Sequence, residues 1–376
     1  MITAPNALDV LERICTDVIA PSATETDSLG RFPRASIDAL AKGGLLGLTC
    51  ATEVGGGGGS FADAARVVRR LAATCGSTAM ITGMHYAATA AIEAHAPRST
   101  REAVASGRHL STLAFSETGS RSQFWAPLSS ARFDGDDVVL NASKSWITSA
   151  GEADSYVWTS RPAEGDSGAS LWLVPSNTAG LAIVAPFDGF GMRGNASSAL
   201  NATDARLPRT SLLGTDGGGL DIALSVVLPW FQVINAACSV GLMDAMLAKS
   251  IKHVTATRYE HLNETLAQQP LTRQHVARLQ NIVDSASLVL ADTCAALSAG
   301  RPDAPLRMLQ VKGIAADAAL EAGDLAMRLG GGAAFRKEVG LERHFRDARA
   351  AAVMGPTSDA LRDFVGRAVC GLPLFG

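Results

Sequence analysis

Aromatic residues supply only 5% of this chain and charged residues 18%, against a hydrophobic share of 47%. That balance excludes a disordered, charge-rich polypeptide and describes a globular protein rich in Ala, Leu and Gly. Cysteine is sparse. The six thiols at Cys15, Cys50, Cys75, Cys238, Cys294 and Cys370 form no Cys-x-x-Cys pair, which argues against zinc, haem attachment and thioredoxin-like chemistry and for small buried hydrophobes in a reducing compartment. No His-x-x-x-His pair, Walker sequence or Gly-x-Ser-x-Gly elbow is present, so metallohydrolase, nucleotidase and serine-hydrolase readings lack support. The formal net charge of -3 gives no electrostatic reason to expect nucleic acid or an anionic membrane as partner. The N-terminal stretch lacks the basic start, apolar run and cleavage site of a secretory signal, and a cytoplasmic location is expected.

A run without charge does exist, from Ile222 to Met243, and roughly 20 apolar residues is the length of a membrane span. Pro229, Gln232, Asn235 and Ser239 interrupt it, and Trp230 sits centrally instead of at an edge. A helix buried at the centre of a bundle is the expectation.

With 376 residues the chain has room for two or three domains and a cofactor pocket. Apolar positions recur at three- and four-residue spacing up to about residue 109, in Ala7 to Ile14, Ile37 to Leu45, Phe61 to Leu71 and Ala87 to Ala94. The glycine cluster Gly55 to Gly59 reads as a flexible loop whose Ser60 caps the next helix. A phosphate loop is disfavoured there, because no clear strand precedes it and no ribose-binding acid follows. From 110 to 213 the texture changes to short alternating runs, with a hairpin through Asp134-Gly135 and strands at Ser155 to Thr159 and Ser170 to Val174. Helical periodicity returns from 214 to the end, broken at Gly330-Gly331-Gly332. The expected domains are therefore 1–109, 110–213 and 214–376.

Three segments resemble the acyl-CoA dehydrogenase family. Leu113-Ala114-Phe115-Ser116-Glu117-Thr118-Gly119-Ser120-Arg121-Ser122 is similar to its Thr-Glu-Pro-x-Ala-Gly-Ser loop, and Asn141 to Gly151, with Lys144-Ser145-Trp146-Ile147-Thr148, to its Lys-x-Trp-Ile-Thr strand. Gly331-Gly332 followed by Arg346-Asp347-Ala348-Arg349 resembles its C-terminal elements. The resemblance implies an α+β fold: an N-terminal α-helical domain, a middle antiparallel β-barrel-like domain and a C-terminal four-helix bundle, assembled as homodimers or homotetramers in which FAD bridges subunits. It implies FAD contacts from Phe115, Ser116, Trp146, Ile147, Thr148, Arg258, Arg328, Gly331, Gly332 and Thr357, and a substrate contact from Ser122. An isoalloxazine ring needs a flat apolar wall and a few polar groups along one edge, which Trp146, Phe115, Ser116 and Thr148 offer.

The same resemblance exposes a gap. The family's α-proton is removed by a glutamate whose position here is Gly355, in Met354-Gly355-Pro356-Thr357. The alternative glutamate position, on the long helix, falls at Trp230 or Phe231. Glycine has no side chain to accept a proton. His85 is the substitute base the sequence offers, and Asp359, one turn beyond Gly355, is the nearest carboxylate. Arg362 and Asp363 are expected to pair at the surface. The implied activity is oxidation of an acyl thioester, linked to CoA or a carrier protein, by hydride transfer to flavin N5. An electron-acceptor flavoprotein would be its partner. A flavin monooxygenase fed by a flavin reductase, which needs no α-proton abstraction, and a non-catalytic acyl or flavin binder are the alternatives.

Overall fold

The computed structural model describes residues 4–121 and 123–375. Helices come first: α1 (Ala4–Ile14), α2 (Ala20–Leu29), α3 (Arg34–Lys42), α4 (Phe61–Ala72), α5 (Gly76–His95) and α6 (Arg98–Ala105). Ser60 caps α4 in a reciprocal box with Asp63, satisfying amides at the helix start that have no partner inside it. The glycines before it form a tied loop, not a flexible one. The amides of Gly56, Gly57, Gly58 and Gly59 donate to the carbonyls of Ala51, Gly47, Cys50 and Leu48, so none is left to cradle a phosphate. A Cβ on Gly57 would stand 2.8 Å from the Leu48 oxygen, which is why the close strand-like return needs glycine.

Strands occupy the middle of the chain: β1 (Ser111–Ala114), β2 (Ser130–Asp134), β3 (Asp137–Ile147), β4 (Ser155–Ser160), β5 (Ser170–Pro175), β6 (Leu181–Ile183), β7 (Ser198–Pro208) and β8 (Leu212–Leu213). They make two four-stranded sheets, ordered β1-β4-β5-β8 and β2-β3-β7-β6. The expected hairpin is there, Asp134 pairing with Asp137 around Gly135. The expected antiparallel pairing holds for the other strand pairs of the module, with one correction: β1 runs parallel to β4. The chain between them makes the β2–β3 hairpin of the other sheet, a crossover that allows parallel pairing.

The helices then resume: α7 (Gly219–Ile222), α8 (Leu228–Ala256), the short hairpin β9 (Arg258–Tyr259) and β10 (Glu264–Thr265), α9 (Pro270–Ala299), α10 (Ala304–Gly330), α11 (Leu341–Ala348), α12 (Ala350–Val353) and α13 (Ser358–Val369). The apolar run spans the end of α7, a π-helical turn at Ala223–Val227 and the first half of α8, and α8 packs against α4, α5, α9 and α10. Among the described residues, two helical stretches are long and apolar enough to cross a membrane. In Gly219–Ala256 the most apolar window is 78% buried within the protein, as a core helix requires. Five of the six cysteines are buried and Cys370 is exposed.

Candidate functional site

β3 ends irregularly, and the irregularity builds the site. Its register against β7 shifts between Lys144 and Ile147, and within that bulge Trp146 takes a left-handed φ of 58°. A bulge of this kind turns a side chain out of the pleat. Trp146 is left 72% exposed, on the wall of an open cavity of about 840 Å³. The chain after β1 runs beside it. Ser145 donates its amide to the Ser116 carbonyl and Thr118 to that of Ser143, so Phe115 and Ser116 face the same cavity as Trp146, Ile147 and Thr148. The Thr148 hydroxyl lies 3.2 Å from that of Ser197.

One buried ion pair ties these strands together. Lys144 donates to Glu117 at 2.7 Å, to the Thr159 carbonyl at 2.7 Å and to the Thr159 hydroxyl at 3.0 Å. Glu117 also accepts from the Ser129 hydroxyl and the Leu128 amide. Burial pushes the Glu117 carboxyl up, but the Lys144 ammonium and these donors outweigh it and hold the group below the usual carboxylate range. Although Glu117 lines the cavity, it is a structural anion and a poor proton acceptor.

The opposite side of the cavity comes from the helices. Phe231 on α8 and Met354, Gly355 and Pro356 after α12 all line it. Phe231 and Gly355, from separate elements, therefore open onto one cavity. Gly189 and Gly191 carry the loop of Phe187 and Phe190 along its rim. Arg346 holds that loop, donating to the Phe190 carbonyl at 3.0 Å while pairing with Asp27 and Glu342. Asp188, the other carboxylate on the lining, points outward to Arg193 at 3.0 Å and is 87% exposed.

His85 is not a base for this cavity. It is fully buried, does not line the cavity, and spends both ring nitrogens on backbone: Nδ1 accepts from the Ser111 amide at 3.1 Å, and Nε2 lies 3.2 Å from the Leu46 carbonyl. Burial pushes it down to about 4, so it stays neutral near pH 7. Its neighbour Met84 is the side chain of α5 that reaches the cavity. Asp359 also points away, 91% exposed and paired with Arg362. Arg362 pairs with Asp317 as well, and Asp363 pairs with Arg367, so the expected Arg362–Asp363 pair does not form.

Arg258, Arg328, Gly331 and Gly332 are exposed and do not line the cavity. Arg258 holds Asn263 across its own hairpin. Thr357 caps α13 through the Ala360 amide. Ser122 lies outside the described residues. No local pattern marks the Lys144–Glu117 pair, whose members are 27 apart and ordinarily solvated types. The Phe187-Asp188-Gly189-Phe190-Gly191 rim does carry a local signal, its two glycines beside two aromatic residues.

The chain matches the N-terminal domain of acyl-CoA dehydrogenases over residues 6–105, the middle domain over 112–205 and the C-terminal domain over 217–370. It is 27% identical over 361 residues to a probable acyl-CoA dehydrogenase of Bacillus subtilis, covering 93% of each chain. It is 28% identical over 375 residues to human mitochondrial short-chain specific acyl-CoA dehydrogenase, covering 95% of this chain and 89% of that one. Among solved structures it superposes on butyryl-CoA dehydrogenase of Megasphaera elsdenii with a TM-score of 0.91 at 21% identity, covering 98% of both chains. The prolyl acyl carrier protein oxidase AnaB superposes with a TM-score of 0.88 at 19% identity, over 97% of this chain and 98% of that one.

Proposed function

The chain belongs to the acyl-CoA dehydrogenase family, a family of FAD-dependent oxidoreductases, and we propose that it oxidises an acyl thioester linked to CoA or to a carrier protein. The observation that carries this reading is the single cavity of about 840 Å³ joining the Trp146–Thr148 wall to the Gly355 and Phe231 positions. Its residues fit a flavin. The exposed indole of Trp146 matches a flat ring, and Phe115, Ser116 and Thr148 supply an apolar flank and edge hydroxyls. When bound, FAD supplies a hydride acceptor.

The chain's own part is to bind, orient and shield. Phe115, Phe124, Phe187 and Phe231 exclude water from the apolar interior, and the Lys144–Glu117 pair fixes the bulge that aims Trp146. Proton removal is non-standard, because neither family position offers a carboxylate. On this reading the proton passes to water or to a group carried by the substrate.

The exposed Arg258, Arg328, Gly331 and Gly332 meet the FAD tail of a neighbouring subunit, in a homodimer or homotetramer. Support comes from the most apolar window of α9, which is only 33% buried, with Leu271 and Leu288 outward. An electron-transfer flavoprotein is the fitting acceptor and the cytoplasm the fitting compartment.

The base-free lining favours one second reading, hydroxylation of a bound substrate with reduced flavin and oxygen. Anaerobic mixing with a panel of acyl-CoA and acyl-carrier thioesters separates them. Flavin bleaching supports thioester oxidation, whereas turnover only with added reduced flavin and oxygen supports hydroxylation. Failure to bind flavin defeats both.

A further inference from the structure

Lys312 lies within α10, fully buried, yet its ammonium has no carboxylate partner among the described residues. Instead it donates to three carbonyls: Ala351 at 2.7 Å, Met354 at 2.9 Å and Pro356 at 2.8 Å. The nearest acid acting on it, Asp317, is itself held by Arg362 at 2.7 Å. An ammonium has three protons to donate, and here all three go to one six-residue stretch, from Ala351 in α12 to Pro356 in the connection before α13. That stretch includes Met354, Gly355 and Pro356, which line the cavity. Next to Lys312, Leu361 of α13 lies over the same turn, its Cβ 3.9 Å from where a Cβ on Gly313 would stand, an ordinary van der Waals contact.

A buried cation without a counter-ion is costly unless every donor is satisfied. Its presence here makes sense as an anchor, because three convergent bonds remove the freedom of a connection that has few helical bonds of its own. Burial pushes the ammonium down to about 7, with the Asp317 carboxylate pulling the other way.

We propose that Lys312 is a positioning residue that fixes the Met354-Gly355-Pro356 floor of the cavity, against which the acyl part of the substrate lies; the second half of this statement rests on the thioester reading above. Lys312 does not touch the substrate. It acts through the carbonyls it gathers.

The test compares flavin-loaded wild type with Lys312→Met, which keeps the length and removes the donors, and Lys312→Gln, which returns part of them. In Lys312→Met the amides of residues 352–355 and 357 should exchange hydrogen about tenfold faster or more. Protection in α5 and β3 should hold, with Lys312→Gln between the two. Unchanged exchange in that stretch, or an equal rise across α5 and β3, would overturn the assignment. A second arm titrates decanoyl-CoA and follows the flavin spectrum. Weakening by about tenfold or more with unchanged flavin content is expected, and equal affinity would contradict a floor role. If wild type fails to bind decanoyl-CoA, the thioester reading loses its support, while hydrogen exchange still decides whether the anchor exists.

Discussion

On the proposed reading, Gly355 and Phe231, which both line the cavity, are places from which a carboxylate would reach a bound acyl group, so replacing either should supply a base there. Gly355→Glu should raise the rate of flavin reduction by simple acyl-CoAs by about 100-fold or more, the usual contribution of a positioned base, as stopped-flow absorbance would show. No increase, with the fold intact, would mean that position 355 does not face the substrate's α-carbon. His85→Asn, by contrast, keeps an acceptor for the Ser111 amide and should leave the pH profile of flavin reduction unchanged while costing about 1 kcal/mol of stability. Trp146→Ala removes an exposed ring, so thermal stability of the flavin-free protein should move by less than about 0.5 kcal/mol. Flavin affinity should fall by about tenfold, the worth of one aromatic stack, measurable by fluorescence titration. Asp347 makes a pH prediction. Burial raises its carboxyl from 3.8 to about 6, although the Met192 amide donates to it at 2.5 Å. The folded state therefore binds more protons than the unfolded chain between pH 4 and 6, and stability should fall by up to about 3 kcal/mol as pH rises through that window. Asp347→Asn should abolish that slope in urea unfolding series.

At the scale of elements, what could be read in the sequence was whatever is local. The Ser60 cap, the Asp134-Gly135 hairpin and the mostly apolar core helix α8 all follow from neighbouring residues and their period. The Trp146-Ile147-Thr148 strand end could be placed beside Phe115-Ser116 because both motifs are contiguous. What escaped was direction and distance. His85 sits in a helix buried on nearly every side, where periodicity gives no outer face and therefore no way to know that Met84 alone turns to the cavity. Asp359 follows an N-cap, and its outward rotation depends on how α13 docks on α10. Lys144 and Lys312 read as surface residues by type, and their burial depends on partners 27 and about 40 positions away. The parallel β1–β4 pairing is likewise non-local. Arg346 joins three elements at once, binding Asp27 of α2, Glu342 of α11 and the Phe190 carbonyl, and no one-dimensional pattern announces such a clasp.

For the whole molecule, one cavity between the β module and the helices gathers Trp146, Gly355, Phe231 and the Phe187 rim, while Arg258, Arg328, Gly331 and Gly332 are exposed away from it, where the proposed assembly would bring a second subunit's FAD tail. If the proposed assembly holds, Leu288→Asp, on the poorly covered side of α9, should shift the protein to a smaller species in sedimentation velocity and weaken flavin retention along with it, because in that assembly the tail contacts come from a neighbour. An unchanged assembly would remove that face from the account. The most direct test of the central claim is anaerobic mixing of the flavin-loaded protein with CoA-linked and carrier-linked acyl thioesters, followed at the flavin absorption band. The account predicts bleaching by at least one thioester with no reductant added; no bleaching by any of them, with substrate hydroxylated only when reduced flavin and oxygen are supplied, would contradict it.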